Sequence, residues 1–366
     1  MFDIEFFREA SQYKDQILSG RVPPDDVDRI FEKFEQLRNQ EPYVFNLETT
    51  NFCNMRCVMC PRTDLMTRPV THISDESFES ALDQIRPHET EALARFWQFV
   101  EDRYGISKDT QSENSFYFHV VAKCLILHGY GEPLLDKFIL KRVEECSKRD
   151  IPTYFSCVPA NIRLDRIKAL MENGLDVIKF SVDALDDTSQ KQIRGDRNDF
   201  SNSFINIQDV IDLKQKNNFD TQIVVTMISM GEASGDLETQ HRFMDIFDPM
   251  EVFNYVKSQD NRWYYERFSD AKNRSHYVSE YCEFPWTSLT VMANGEVVPC
   301  TQDYDAEMSF GNIEEKSLQD IWNSPEYEEF RRCHLTGNFP KGNKCNERCD
   351  LPKVYHRLHD LRKEGN

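Results

Sequence analysis

Three cysteines stand close together in Cys53-Asn54-Met55-Arg56-Cys57-Val58-Met59-Cys60, a CxxxCxxC run followed by Pro61. Three thiolates on one short loop suit three irons of a cubane 4Fe–4S cluster. With no fourth protein ligand, one iron is left open for a substrate or cofactor. Zinc is the rival reading. Structural zinc sites take four protein ligands in two pairs, and no His or Cys follows closely enough to complete this set. The chain has eleven cysteines, and five more fall late: Cys282, Cys300, Cys333, Cys345 and Cys349. Cys124, Cys146 and Cys157 lie singly in periodic segments and read as small buried hydrophobes.

These groups need elements to position them. Strands are expected at Tyr43–Glu48, Cys124–His128, Pro152–Cys157, Val177–Val182, Gln222–Met227 and Glu251–Val256. Helices fit Asp75–Ile85, Leu135–Arg149, Leu164–Asn173, Ser201–Lys216 and Leu237–Phe247, with Gly174 as a helix C-cap. Apolar strands alternating with helices imply a parallel sheet covered by helices. The fold class is therefore α/β, a partial (β/α)6 barrel of TIM type with a small C-terminal domain built from a β-hairpin and a helix. The first cysteine loop follows the first strand, and barrel sites form at the C-terminal ends of strands. Residues 1–41 read as a helical extension, 42–257 as the barrel and 258–366 as the second domain. Pro87–Phe118 breaks the rhythm with ETEALARFWQFVEDRYG and then a polar run, and reads as an insertion. Asn294-Gly295 between two alternating apolar runs is a hairpin signal that folds the chain back between Cys282 and Cys300.

In the order Cys53/Cys57/Cys60, Gly129-Tyr130-Gly131-Glu132-Pro133, Ser181-Val182-Asp183 and Ile193-Arg194-Gly195, the chain resembles the radical S-adenosylmethionine (radical SAM) superfamily from residue 43 to about 350. The resemblance implies that the open iron takes the amino and carboxylate groups of SAM. The reduced cluster then cleaves SAM to methionine and a 5′-deoxyadenosyl radical, which removes a hydrogen atom from substrate. It further implies Gly129, Gly131 and Glu132 beside the methionine moiety, Ser181 and Asp183 near the ribose, and Arg194 on the SAM carboxylate. Ser156, ending the third strand, faces the same cofactor. Met59 stands where many members carry an aromatic beside adenine. Gly295-x4-Cys300, Gly311-Asn312-Ile313 and Leu318-x-x-Ile321-Trp322 resemble the SPASM and twitch auxiliary domains. That resemblance implies a second 4Fe–4S cluster on Cys282, Cys300, Cys345 and Cys349, with Cys333 either a substitute or a spare. Zinc at those four positions stays open.

Composition narrows the partners. With 44 basic and 63 acidic residues the net charge is −19, so nucleic acid, which needs a basic surface, is not an expected partner. No run of apolar residues is long enough for a transmembrane helix, and the first residues lack a secretory pattern. The expected compartment is the cytoplasm, with an external electron donor such as flavodoxin or ferredoxin. Two substrate classes remain. One is a small polar metabolite, such as a sugar, aminocyclitol or nucleotide-sugar, that is oxidised, dehydrated or epimerised. The other is a peptide or protein; the stretch before the first strand is short for a leader-binding domain and lacks the strand alternation a leader would pair with.

Overall fold

The computed structural model describes residues 1–18, 22–230, 237–258, 281–347 and 349. The start of the expected second domain at 259–280 and its tail from 350 lie outside the described residues. Two helices, α1 (Ile4–Leu18) and α2 (Pro24–Leu37), precede the first strand. Pro24 at the first helical position suits α2, because its missing N–H has no partner to lose there.

The barrel strands are β1 (Val44–Leu47), β2 (Leu125–Ile126), β3 (Thr153–Cys157), β4 (Val177–Ser181), β5 (Gln222–Ser229) and β6 (Phe253–Ser258). They pair in sequential order, all parallel. Between them run α3 (Asp75–Leu82), α4 (Thr90–Tyr104), α5 (Glu113–Lys123), α6 (Ile139–Ser147), α7 (Leu164–Glu172), α8 (Asp187–Arg194), α9 (Phe200–Asn217) and α10 (Leu237–Phe247). The two-residue period divides the strands. Leu125, Phe155, Ile178, Phe180 and Val225 pack outward against the covering helices, in one core with Phe78, Val143, Leu170 and Val210. The alternate positions face the lumen.

After β6 come α11 (Phe284–Thr287), β7 (Leu289–Val291), β8 (Val297–Val298), α12 (Leu318–Trp322), α13 (Pro325–Thr336) and α14 (Lys344–Glu347). The expected hairpin forms, with Gly295 at φ +81. It is not a separate sheet, however. β7 pairs parallel with β1, so the barrel sheet continues into the C-terminal region and has eight strands.

The insertion also departs from expectation. It holds two helices, and the second, α5, runs past Phe118 to Lys123. Ser112 starts it by accepting from the Ser115 N–H at 3.1 Å. Phe116, Phe118, Val120, Val121 and Ala122 of α5 are all buried, so it has no polar face to give a helical period. Phe116 packs on Tyr154, Phe253 and Tyr255, which closes the lumen on that side.

One carboxylate joins the barrel to the hairpin. Glu48, fully buried just after β1, accepts from Arg68 Nη1 at 2.9 Å and Nη2 at 3.2 Å. It also accepts from the Tyr130 N–H at 2.8 Å and the Ala293 N–H at 3.0 Å. Arg68 Nε then donates to the Tyr304 carbonyl at 2.7 Å. The glycines beside Tyr130 allow this packing. A Cβ on Gly129 would stand 2.5 Å from the Glu48 Oε1, and one on Gly131 would stand 2.1 Å from the Thr50 carbonyl oxygen. The backbone after β2 thus lies directly on the segment that leads into the cysteine loop, and the Glu132 N–H donates to the Phe52 carbonyl at 2.8 Å.

The two N-terminal helices dock through Trp286 of α11. Its ring stacks on Phe6 at 5.7 Å and meets Phe34 edge-on at 5.2 Å. Trp286 is fully buried, so Trp286→Ala is expected to lower unfolding free energy by about 3–5 kcal/mol in urea titrations. Gly131→Ala forces a methyl onto backbone that cannot rotate away. Its expected cost is about 1–3 kcal/mol by the same titration, with a loss of iron retained by the first cysteine loop.

Candidate active site

The cysteine loop leaves β1 at the C-terminal end of the sheet and is fixed mostly by backbone. The Arg56 N–H donates to the Arg194 carbonyl at 3.3 Å, and the Val58 N–H to the Ile193 carbonyl at 2.9 Å. Gly195, at φ +98, ends α8 beneath it; a Cβ there would press on the Arg56 nitrogen at 3.2 Å. Asn54 and Asn161 exchange amide hydrogen bonds at 2.9 and 3.0 Å, which tie the loop to the end of β3. Cys53, Cys57 and Cys60 then line one cavity of about 420 Å³, together with Met59, Gly129, Gly131, Glu132, Ser156, Ser181 and Arg194. Ten of the eleven residues expected to hold the first cluster and SAM therefore meet at one place.

The eleventh, Asp183, stands apart. It is fully buried behind the wall and does not line the cavity. Its Oδ2 takes Arg194 Nε and Nη2, both at 2.5 Å, and its Oδ1 accepts from the Ile228 N–H at 3.0 Å. Asp183 positions Arg194, whose Nη1 points toward the Cys57 sulfur at 3.9 Å. Glu132 also works through the backbone. It accepts from the Leu134 N–H at 3.1 Å and the Val158 N–H at 2.9 Å, and burial pushes its carboxyl up to about 8. Ser156 and Ser181 lie on neighbouring strands with their hydroxyls 3.4 Å apart.

Burial pushes the Cys53 thiol up to about 12 and the Cys57 thiol upward; Arg194 pulls Cys57 back. Ionising these thiols in this apolar setting therefore needs the positive charge of bound iron, as metal binding and thiol deprotonation are coupled. Among the described residues, no three His, Cys, Asp or Glu side chains converge on a single-ion point. A cubane takes each thiolate on a different iron and so holds them farther apart than one ion does. The donor set fits such a cluster: three thiols on one loop, a guanidinium beside one of them, and polar groups across the cavity.

The late cysteines form a second group. Cys282, Cys300, Cys345 and Cys349 pack in one cluster with Phe284, Tyr304 and Tyr130. Burial, then the proximity of Cys349 and Cys282, pushes the Cys300 thiol well upward. Cys333 is elsewhere. Its sulfur lies 3.3 Å from the Asn338 carbonyl oxygen and 3.9 Å from Glu329, at the end of its own helix. Tyr130 spans the two groups, because its ring lines the cavity and its hydroxyl donates to the Thr301 carbonyl at 2.5 Å, next to Cys300. Two polar groups beside the cysteine segments, Arg62 and Asp303, are engaged with the backbone. Arg62 Nε donates to the Asn51 carbonyl at 2.9 Å, and buried Asp303 accepts from the N–H groups of Glu307 at 3.0 Å and Met308 at 2.7 Å.

Several lining residues escaped the sequence reading: Glu113, Phe116 and Tyr117 from α5, Lys179 from β4 and Lys257 from β6. Lys179 carried a usable signal, since a charge in the middle of Val177-Ile178-Lys179-Phe180-Ser181 has no place in a strand buried on both faces unless one face is a lumen.

Comparison with known proteins agrees with this geometry. Residues 119–237 match the family model described as the radical SAM superfamily, and residues 282–350 match the SPASM iron–sulfur cluster-binding domain. The chain is 24% identical over 352 residues to the tungsten-containing aldehyde ferredoxin oxidoreductase cofactor-modifying protein of Pyrococcus furiosus, covering 84% of this chain and 89% of that one. It is 33% identical over 64 residues to the S-adenosyl-L-methionine-dependent 2-deoxy-scyllo-inosamine dehydrogenase of Niallia circulans, a match confined to 18% of this chain and 26% of that protein. The fold is similar to that of anSMEcpe solved with bound AdoMet, with a TM-score of 0.55 at 13% identity over 88% of this chain and 92% of the other. The match of residues 119–237 in the barrel and of residues 282–350 behind it places this chain in the radical SAM superfamily, with a C-terminal SPASM domain and the family's cofactors: a 4Fe–4S cluster, SAM and an auxiliary iron–sulfur cluster.

Proposed function

We propose that the chain is a radical SAM enzyme that abstracts a hydrogen atom from a small polar metabolite. The observation that carries this reading is the cavity itself. Its volume of about 420 Å³ is in the range of small-molecule sites. SAM fills part of it, and α5, the strands and the hairpin bound the rest. That space favours a compact substrate over a peptide. The relative matched along most of the chain is named for modifying a cofactor, and the shorter match is named as a dehydrogenase of an inosamine. Both names support a small molecule, and the second alone supports an oxidative outcome.

Cys53, Cys57 and Cys60 hold the first cluster in this reading. When bound and reduced, that cluster supplies the electron that cleaves SAM. The chain's own residues bind and orient. Ser156 and Ser181 offer hydroxyls to the cofactor, Met59 packs on adenine, and Gly129 and Gly131 keep that wall close. Arg194, held by Asp183, presents positive charge beside Cys57, which favours the thiolate. Its fork is largely taken by Asp183, so any bond to the SAM carboxylate uses Nη1. Cys282, Cys300, Cys345 and Cys349 hold one auxiliary cluster, and an external flavodoxin or ferredoxin delivers the electron.

Anaerobically reconstituted enzyme tests this directly. Wild type is expected to carry about eight irons and Cys53/Cys57/Cys60→Ala about four, with Mössbauer spectra of the four-iron type in both. Release of 5′-deoxyadenosine from SAM is expected in wild type and lost in the variant. Wild type with about four irons, all lost in the variant, would remove the auxiliary cluster. Wild type that releases no 5′-deoxyadenosine under reduction would sink the enzymatic reading.

A further inference from the structure

Lys179 is the one charged residue of its strand, and it faces inward. Two residues on, Ser181 lies at the cofactor end of the same face, so Lys179 sits roughly 6–7 Å deeper along β4. The ammonium group makes no ion pair or hydrogen bond with any described residue. It lies instead between two rings, 5.8 Å from the centroid of Phe116 and 5.7 Å from that of Tyr154. Its remaining exposure opens into the cavity.

A buried ammonium without a carboxylate partner is costly, and side chains in this state are rare outside functional sites. Rings offset part of the cost through their faces. Two positive and two negative groups surround it, and Lys257 weighs most. Burial, then Lys257, lowers the Lys179 ammonium to about 7; Glu113 opposes that shift, Arg194 adds to it and Asp183 opposes it. Lys257 lies on β6 on the face that carries Tyr255 and also lines the cavity. An anion entering this end of the lumen meets two lysines and one glutamate, takes hydrogen bonds from Lys179 and restores its full charge.

We propose that Lys179, supported by Lys257, forms an oxyanion subsite that binds a phosphate or carboxylate group of the substrate and so points its reactive carbon toward the cofactor end of the cavity. This rests on the small-metabolite reading above and narrows it to anionic metabolites. Glu113 of α5 lines the same cavity and adds one negative charge near Lys179.

The test is calorimetric titration of the reconstituted, SAM-loaded enzyme with inorganic phosphate and, separately, with acetate. The proteins are wild type, Lys179→Met, Lys179→Arg and Lys257→Met. Wild type is expected to bind at least one of the two probes. Lys179→Met is expected to weaken that binding by about 10-fold or more, since it removes a charge-assisted hydrogen bond, and Lys179→Arg to recover part of it. Lys257→Met weakens it less. Binding of phosphate alone assigns a phosphorylated substrate; binding of acetate assigns a carboxylate. Iron content and thermal unfolding of Lys179→Met establish that it is folded; if it is not, Lys257→Met and Lys179→Arg carry the comparison. Wild type that binds neither probe overturns the subsite, as does Lys179→Met binding as tightly as wild type. Wild-type release of 5′-deoxyadenosine separates the two failures. If it is present while the probes fail, only the subsite falls; if it is absent, the enzymatic reading falls first.

Discussion

The carboxylate of Glu48 is the constraint on which the rest of the structure depends. It is fully buried, yet four donors surround it. They come from three stretches far apart in sequence: the Arg68 segment after the cysteine loop, the Tyr130 loop after β2 and the hairpin at Ala293. A buried charge is tolerable only when paired and fully hydrogen-bonded. Satisfying this one therefore fixes three loops together. The cysteine loop, the glycine-rich loop and the auxiliary region hold their relative places because any one leaving would strand the carboxylate.

That arrangement explains why the region that carries the late thiols borders the cavity lined by the first cysteine loop. The hairpin joins the barrel sheet through β1, and Tyr130 reaches from the glycine loop to the carbonyl beside Cys300. The cavity at the first cysteine loop thus has a wall that the auxiliary region helps build. On the opposite side, α5 supplies the apolar closure, with Phe116 among Tyr154, Phe253 and Tyr255.

The chemistry-bearing residues were legible in sequence because thiol spacing and glycine turns are local properties. Cys53, Cys57 and Cys60 needed only their own loop, and Asn294-Gly295 only its own turn. What escaped was non-local. The apolar residues on all sides of α5 concealed its period and its end at Lys123. Asp183 read as a cofactor contact by its place in a motif, but its side chain turns back to Arg194. The glycines line the cavity, and they also make room for Glu48 and Thr50, more than seventy-five residues earlier, which their own segment does not reveal. Whether Cys333 was a substitute or a spare could not be read from spacing, because its place against Asn338 depends on its helix. The sheet's continuation through β7 had no signal, because a parallel partner for β1 cannot be read from either strand alone.

The pairing of β1 with β7 also sets a timetable. Val44 takes Leu289 as its partner, roughly 245 residues later. At translation rates of about 5–20 residues per second, the first strand waits roughly 12–50 s after its own synthesis before that neighbour exists. Until then β1 is an open sheet edge, Glu48 lacks the Ala293 donor, and the adjoining three-thiol loop stands at an unfinished border. A nascent chain therefore carries its cysteine loop beside an unfinished sheet edge until the last third of the fold is made.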